Sequence, residues 1–404
     1  MLVALVANMR RKLTILVFIF GFGFCSWVLI RKINTIYQQS KVETWKNKLP
    51  KTKEPTYKAP EKSCEPITKI MFMKTHKTAS TSVMNIIERY AVKHNLTIAL
   101  PNGGNADQFD YPNPFHERMV FPLLHGQDRY DVICHHMRFN SQQVNKILPR
   151  HVAKYVTILR EPGKMFESIF DYFYDLVDFF HNVPSSSREN LEIWLDDAPS
   201  RINRGGKGGF WFIGKNLEYH DLGFSNMNEQ AKYLKLAAER IEQEFDLVMI
   251  SDHFMESLIL LKDLMCWDLK DVVSLKLNSR KSKSPEQPEQ LRRKIRNWNK
   301  ADAFLFDHFN ATLWRKVEAF GHQRMAQEIA ELKRLNGEFF KECVNDTGVV
   351  GGKNKLFNPN GRLDLKAYAP KNNVSQMCQL ATMGTLQISA KLRDNYLRQK
   401  QLLD

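Results

Sequence analysis

The chain has 404 residues, of which 43% are hydrophobic and 25% are charged, so it can bury one large core or two modest ones. The formal net charge of +15 at pH 7 indicates an anionic ligand or a basic solvated surface. Lys and Arg are spread along the chain, and no zinc-finger, basic-zipper or RNA-platform motif occurs, which argues against nucleic-acid binding.

An uncharged apolar segment near the N-terminus predicts a membrane anchor. Residues 13–30 read LTILVFIFGFGFCSWVLI, and basic residues flank them at 10–12 and 31–32. About 18 to 20 apolar residues cross a bilayer core as a helix. No clear cleavage site follows, so a retained anchor is favoured over a removed signal peptide. The basic clusters are nearly balanced and orient the segment only weakly.

Four Asn-x-Ser/Thr sequons lie beyond this segment, at Asn95, Asn310, Asn345 and Asn373. Sequons are glycosylated in the secretory pathway, so anchor and sequons together predict a cytosolic tail at 1–12 and a lumenal body. Of the six cysteines, Cys25 lies inside the anchor, and the five others are Cys64, Cys134, Cys266, Cys343 and Cys378. Disulfides persist in an oxidising lumen, and an odd number leaves at least one cysteine free or paired between chains. The absence of a C-x-x-C pair argues against a zinc site.

The body is predicted to be an α/β domain at 67–345, held off the membrane by a Pro-containing stem at 31–66. An extension at 346–404, irregular beyond residue 347, would pack on the domain or trail from it. Apolar runs predict strands at 67–73, 131–134, 155–159, 247–250 and 272–277. Helical spacing predicts helices at 78–93, 164–180, 227–245, 255–265 and 301–343. This alternation predicts a parallel sheet covered by helices on both faces, with ligands beyond the carboxyl ends of its strands.

The first strand is followed by Lys74–Ser82, a loop that runs directly into a helix. Such a loop presents free backbone N–H groups and the positive end of the helix dipole, which suits a phosphate. Lys77 adds a mobile charge, and several hydroxyl groups surround it. An ordinary capped helix with solvated lysines is the competing interpretation. No G-x-x-x-x-G-K-[ST] is present, which argues against an ATPase or GTPase.

The third predicted strand is followed by Arg160-Glu161-Pro162 and then by a helix that carries Ser168. An Arg at a strand end can bind a phosphate through two hydrogen bonds. Ser168 lies on the first turns of the helix, close enough to share that phosphate. Taken alone this signal is weak, because an Arg next to a Glu is usually a surface ion pair.

The two loops together resemble the sulfuryl-donor loops of the Golgi carbohydrate sulfotransferases. Four longer segments resemble the galactose 3-O-sulfotransferase family, and they are FMKTHKTAS at 72–80, FDYP at 109–112, CHHMRF at 134–139 and FNATLWRKVE at 309–318. The similarity runs from about residue 67 to about residue 332 and is weaker in the tail. His135 stands where several relatives are expected to carry Asn.

This resemblance implies a P-loop NTPase-like sulfotransferase fold and an enzyme that transfers a sulfuryl group from PAPS, with no metal required. The implied acceptor is the 3-hydroxyl of a terminal β-galactose on galactosylceramide or on glycoprotein glycans. The implied location is the Golgi membrane, with single-pass type II topology. A homodimer is a further option, and no nucleic-acid partner is implied. The residues implied for the 5′-phosphosulfate end are Lys74, Thr75, Lys77, Thr78, Ala79, Ser80 and Thr81. Those implied for the 3′-phosphate are Arg160 and Ser168.

A general base is needed because a sugar hydroxyl has a very high pKa, and histidine suits proton transfer near neutral pH. His136 follows a strand end and corresponds to the histidine expected as base in related uronyl 2-O-sulfotransferases, so we place it first. His76, inside the phosphate loop, comes second, and a carboxylate third. Lys77 is expected to stabilise the charge that develops on the leaving phosphate oxygen.

Two further segments have functional and ordinary interpretations. The basic loop at 276–281 would close over the nucleotide or simply be solvated, and the polar, aromatic loop at 102–112 would stack on a sugar or form a surface turn. Two other functions remain open. One is sulfation of a different sugar position, such as a uronic acid 2-hydroxyl in a glycosaminoglycan. The other is a non-catalytic, membrane-anchored glycan-binding protein.

Overall fold

The computed structural model describes residues 64–203, 211–275, 286–349 and 368–402. These residues belong to one compact unit, Ala59–Asp404. The predicted anchor, nearly all of the predicted stem and the basic loop at 276–281 lie outside the described residues. Within the described ranges, no helix combines the length and apolar character needed to cross a bilayer.

A four-stranded parallel sheet forms the centre of this unit, with the strand order β2-β1-β3-β4. Its strands are β1 (Ile70–Met73), β2 (Val132–Ile133), β3 (Lys154–Leu159) and β4 (Leu247–Ile250). Every residue of β1, β2 and β4 is buried, as expected for parallel strands that are covered on both faces. The predicted α/β class and four of the five predicted strands are therefore confirmed.

Twelve α-helices flank the sheet or extend from it within the described ranges. They are α1 (Ser80–Lys93), α2 (Ser141–Ile147), α3 (Pro162–Phe173), α4 (Arg188–Asn203), α5 (Leu217–Asp221), α6 (Ala231–Glu244), α7 (Phe254–Leu264), α8 (Glu289–Trp298), α9 (Lys300–Phe320), α10 (His322–Cys343), α11 (Gln376–Thr382) and α12 (Thr385–Gln401). A small antiparallel pair comprises β5 (Val344–Val349) and β6 (Tyr368–Pro370).

The strand predicted at 272–277 is wrong over its described residues. Leu269–Val272 form a 3₁₀ helix, and no strand follows up to residue 275. The backbone polar groups are satisfied by side chains instead of a neighbouring strand. Arg89 donates to the carbonyl of Val273, and the N–H of Ser274 donates to Asn336 Oδ1 over 2.8 Å. An apolar run signals burial here and does not by itself signal a strand.

Two predicted helices are shorter than their apolar patterns. The run at 301–343 is divided between α9 and α10 at Gly321, whose φ of 96° lies outside the helical region. The run at 164–180 forms a helix only to Phe173, after which two 3₁₀ turns complete the segment.

The irregular tail predicted beyond residue 347 is wrong for residues 368–402, which form β6, α11 and α12. A disulfide between Cys343 and Cys378 joins the end of α10 to α11. Asn85 of α1 donates its side-chain N–H to the carbonyl of Leu380 over 2.9 Å. The tail therefore packs on the helix that follows the phosphate loop.

The second disulfide joins Cys64 to Cys266, and Cys134 is buried and unpaired. The structure therefore leaves one cysteine of the five without a disulfide, as their odd number predicts.

A substitution at Gly223 tests how closely the segment after α5 packs against the backbone of Phe139. The φ of Gly223 is 90°, and an added Cβ would lie 2.3 Å from the carbonyl oxygen of Phe139. We expect Gly223→Ala to lower the free energy of unfolding by about 2 kcal/mol or more. Gly104→Ala is the control because nothing lies within 4 Å of its Cβ position. Equal midpoints for the two variants in thermal and denaturant unfolding would contradict this packing.

Candidate functional site

The two predicted phosphate loops meet at the carboxyl ends of β1 and β3. These strands are adjacent and parallel, with Met73 paired to Thr157. The guanidinium of Arg160, just after β3, donates to the carbonyl oxygen of Lys77 over 2.8 Å. A direct hydrogen bond therefore connects the two loops, which are 83 residues apart in the chain.

The loop after β1 has a backbone shape that suits an anion. Lys77 and Ala79 have φ values of 59° and 65°, in the left-handed region that residues with side chains rarely occupy. Such residues cost about 1 kcal/mol or more each and occur often at functional sites. Left-handed residues in such a turn help to form a concave group of N–H donors. α1 begins at Ser80 without a side-chain cap, so its first N–H groups extend that set of donors.

Three hydroxyl groups in this loop brace it from inside. Thr75 Oγ1 donates to the carbonyl of Ile158 over 2.5 Å, and Ser80 Oγ donates to the carbonyl of Thr75 over 2.6 Å. Thr75 and Thr78 also share a 2.9 Å hydrogen bond. Ala79 is exposed and Thr81 half-buried, so they form the outer surface of the loop.

Lys77 contacts α3, the helix that carries Ser168. The ammonium nitrogen of Lys77 lies 3.5 Å from the ring centroid of Tyr172. Ser168 precedes Tyr172 by four residues, so both side chains project from the same face of the helix. Lys77 and Arg160 are therefore in direct contact at one junction, and Ser168 lies on the face of α3 that carries Tyr172.

Buried Lys74 and half-buried His136 form a pair beside this junction. Lys74 is only 3% exposed, and its Nζ lies 2.5 Å from His136 Nε2. His136 Nδ1 lies 3.1 Å from the carbonyl oxygen of Lys74, which can only accept a hydrogen bond. The proton is therefore on Nδ1, and Nε2 accepts from Lys74. Burial lowers the pKa of both side chains, which keeps His136 neutral at physiological pH.

His135, the residue that departs from the family pattern, is fully buried in a polar cluster near Lys74. Its Nε2 lies 4.0 Å from Glu88 Oε1, and no hydrogen bond engages either side chain within the described residues. Burial raises the pKa of Glu88 well above its usual value and lowers the pKa of His135 to about 3. His135 is therefore neutral near pH 7, and the raised pKa of Glu88 favours its neutral form, which limits the cost of burying the two side chains without partners.

His76 is held by the buried carboxylate of Asp221. The backbone N–H and the Nδ1 of His76 each lie 2.9 Å from Asp221 Oδ2. Because a carboxylate accepts, Nδ1 carries the proton and Nε2 has the free lone pair. No hydrogen bond within the described part of the chain engages Nε2. The ring stacks on His136 at a centroid distance of 4.2 Å.

Tyr111 completes this arrangement from a third segment of the chain. Its hydroxyl donates to Asp221 Oδ1 over 2.6 Å, and its ring centroid lies 4.9 Å from that of His76. Tyr111 belongs to the FDYP segment, so the loop interpreted as a sugar-binding element does border the two histidines.

Sequence reasoning missed the acidic residues of α5. Glu218 Oε1 accepts from the backbone N–H of Arg160 over 2.7 Å, so α5 supports the second phosphate loop as well as His76. Glu218 and Asp221 are three residues apart, a spacing that places both on one helix face. That spacing of two acidic residues was the only signal of this role in the sequence. α5 has five residues, which make too few turns to show a periodic pattern.

No cluster of three or more His, Cys, Asp or Glu side chains suited to a metal ion occurs among the described residues. The positive charge at this junction comes from Lys77, Arg160 and the N-terminus of α1.

Cationic loops at two adjacent strand ends beside a histidine–carboxylate pair suit an enzyme that acts on an anionic substrate. The chain belongs to the galactose-3-O-sulfotransferase family, whose model matches residues 4–396.

The chain is similar to several curated proteins of this family. It is 37% identical over 321 residues to galactosylceramide sulfotransferase of Bos taurus, covering 78% of this chain and 74% of that protein. It is 37% identical over 348 residues to galactose-3-O-sulfotransferase 3 of Mus musculus, covering 82% and 78%. It is 34% identical over 342 residues to galactose-3-O-sulfotransferase 2 of Homo sapiens, covering 81% and 83%. These relatives include one named for a glycolipid acceptor and two named for galactose alone.

Asp302 gives the site a pH-dependent stability. Its Oδ1 accepts from the N–H of Tyr219 in α5 over 2.8 Å, and burial raises its pKa from 3.8 to about 7. Between about pH 4 and pH 7 the unfolded chain ionises this group while the folded chain keeps its proton. Stability therefore falls as pH rises through this window. We expect Asp302→Asn, which retains an acceptor oxygen, to reduce the difference in melting temperature between pH 5 and pH 7.5.

Asp128→Asn is the matched control, because Asp128 is exposed. Asp128→Asn should show the same difference in melting temperature between pH 5 and pH 7.5 as the original chain. Retention of the full difference in Asp302→Asn would contradict the assignment of this pH dependence to Asp302.

Proposed function

We propose that this chain transfers a sulfuryl group from PAPS to the 3-hydroxyl of a terminal β-galactose, on glycoprotein glycans or on galactosyl glycolipids. The observation that carries the proposal is the hydrogen bond from Arg160 to Lys77, which joins two anion-binding loops beside the His76–Asp221 pair. Membership of the galactose-3-O-sulfotransferase family supports the reaction and the acceptor sugar.

The residues at the strand ends fit a nucleotide that carries phosphate at both its 5′ and 3′ positions. The loop from Lys74 to Thr81, with its concave N–H groups and the charge of Lys77, suits the 5′-phosphosulfate end. Arg160 and Ser168 suit the 3′-phosphate. The nucleotide supplies the sulfuryl group and a phosphate leaving group. The parallel sheet and its phosphate loop support assignment to the P-loop NTPase-like sulfotransferase fold.

We assign the role of general base to His76, although the sequence alone places His136 first. Asp221 holds the proton of His76 on Nδ1, so Nε2 can accept the proton of the galactose hydroxyl. His136 Nε2 is already engaged by Lys74, and its pKa is lowered by burial. His136 instead positions His76 through their stacked rings. Lys77 stabilises the charge that develops on the leaving phosphate oxygen.

We propose a Golgi location with single-pass type II topology, anchored by residues 13–30. Two disulfides support an oxidising compartment, because disulfides are rare in the cytosol. Three sequons also support it, since Asn95, Asn345 and Asn373 are exposed and accessible to glycosylation. Asn310 lies within α9 with its Oδ1 buried, so we expect that site to remain unmodified.

An acceptor panel tests the reaction directly. The full chain, purified in detergent, would be incubated with sulfur-labelled PAPS and with methyl β-galactoside, N-acetyllactosamine, galactosylceramide or desulfated heparin. We expect label on galactose acceptors, with NMR linkage analysis placing the sulfate at the 3-position. Exclusive labelling of heparin would favour the uronic acid alternative, and no labelling with retained PAPS binding would favour the non-catalytic one.

Substitution of His76 tests the base. We expect His76→Ala to lower kcat by about 10²–10⁴-fold, because the hydroxyl proton loses its acceptor. The Kd for adenosine 3′,5′-bisphosphate, measured by calorimetry, should change little. His125→Ala is the control, because His125 is exposed on a loop, and it should retain full activity.

His136→Ala separates the two histidines. It leaves the buried Nζ of Lys74 without its imidazole partner, so we expect a lower melting temperature and a smaller loss of kcat than in His76→Ala. The reverse order of kcat losses, with both variants folded, would move the base to His136.

A further inference from the structure

A cavity of about 360 Å³ lies beside the loop at 102–112, which the sequence alone left between a sugar-binding element and a surface turn. Its lining residues all come from one segment of the chain and are Asn102, Gly103, Asp110, His116, Arg118 and Met119. We call residues 101–122 the 101–122 segment. Pro101 and Val120 form an antiparallel bridge, so the two ends of the segment are held together and the cavity lies within its fold.

The 101–122 segment also forms one side of the reaction site. The N–H of Phe109 donates to the carbonyl of His136 over 2.8 Å, and the N–H of His136 donates to the carbonyl of Asp107 over 3.1 Å. Asp110 lines the cavity and directly precedes Tyr111, whose ring faces His76. A residue of the cavity wall and a residue in ring contact with the proposed base are therefore neighbours in the chain, with Cα atoms about 3.8 Å apart. This adjacency is the reason for placing in the cavity a group that is attached to the galactose.

The cavity offers hydrogen-bonding groups that the protein itself does not use. No hydrogen bond engages the guanidinium of Arg118 or the Nε2 of His116 within the described residues. Asn102 uses its side-chain N–H groups on the carbonyls of Arg118 and Val120, which leaves its Oδ1 as an acceptor. Met119 adds apolar surface. A few placed polar groups beside apolar surface suit a sugar ring, which has hydroxyl groups at its edge and C–H groups on its faces.

The C-terminal helix α12 supports the 101–122 segment from outside. Arg393 donates to the carbonyl of Gly103 over 2.6 Å, and Tyr396 donates its hydroxyl to the carbonyl of Pro122 over 2.9 Å. The rings of Tyr396 and Phe121 lie 4.7 Å apart. The disulfide between α10 and α11 attaches this C-terminal region covalently to the rest of the domain. The shape of the cavity therefore depends on the tail.

We propose that this cavity binds the sugar to which the acceptor galactose is linked, and that α12 holds the cavity in shape. The inference rests on the proposed function, because it takes the galactose to lie against His76. It favours a glycan acceptor over galactosylceramide, in which the galactose is attached to a lipid and no second sugar is present.

Steady-state kinetics on the full chain with two acceptors test this inference. Methyl β-galactoside provides only the galactose, and N-acetyllactosamine adds a second sugar. We expect a higher kcat/KM for the disaccharide. Arg118→Ala should lower the disaccharide value by about tenfold, the size of one lost hydrogen bond to a charged group, with a much smaller loss for the monosaccharide. Tyr396→Phe loses its hydrogen bond to the 101–122 segment. It should also lower the ratio of kcat/KM for the disaccharide to kcat/KM for the monosaccharide.

Arg129→Ala is the matched control, because Arg129 is exposed and does not line the cavity. It should leave both values unchanged. The cavity assignment would be overturned if the original chain had equal kcat/KM values for the two acceptors, or if Arg118→Ala lowered both values equally. Turnover of methyl β-galactoside would still uphold the proposed function in either case. Turnover of galactosylceramide alone would overturn the cavity assignment and uphold the proposed function, and turnover of none of the three acceptors would overturn both.

Discussion

The buried carboxylate of Asp221 is the constraint on which the rest of the site depends. This carboxylate accepts hydrogen bonds from the backbone N–H and the ring Nδ1 of His76 and from the hydroxyl of Tyr111. The backbone carbonyl of Asp221 accepts from the N–H of Phe139. These partners come from the loop after β1, from the 101–122 segment and from the chain after β2. A buried acceptor with several donors fixes the relative positions of the elements that supply them.

The same short helix also sets the second phosphate loop. Glu218, one turn before Asp221, accepts from the backbone of Arg160, and Arg160 in turn donates to the carbonyl of Lys77. α5 therefore holds both strand ends, so that the groups proposed to bind the nucleotide and the proposed base form one connected unit. Such preorganisation is what in-line transfer requires, because catalysis then depends on positioned charge and on a near-attack geometry.

Much of this fold could be predicted from the sequence, and the failures have physical causes. Buried parallel strands are continuous apolar runs, and the charged loops after them predicted that Lys77 and Arg160 lie near each other, as the structure has them. The run at 272–277 is apolar because it is buried, while its backbone bonds go to side chains. The contact between His76 and Asp221 spans 145 residues, and no local pattern reports such a contact. The choice of base depended on that contact, and therefore changed when the structure supplied it.

The most direct test of this arrangement is the kcat of Asp221→Asn, measured with saturating PAPS and methyl β-galactoside. An amide keeps the size of the carboxylate, but it can present an N–H to His76 and so favour the tautomer with its proton on Nε2. We expect kcat to fall by roughly 10³-fold or more, while the Kd for adenosine 3′,5′-bisphosphate stays within about threefold. A folded Asp221→Asn variant with kcat within threefold of the original would contradict the central role of Asp221.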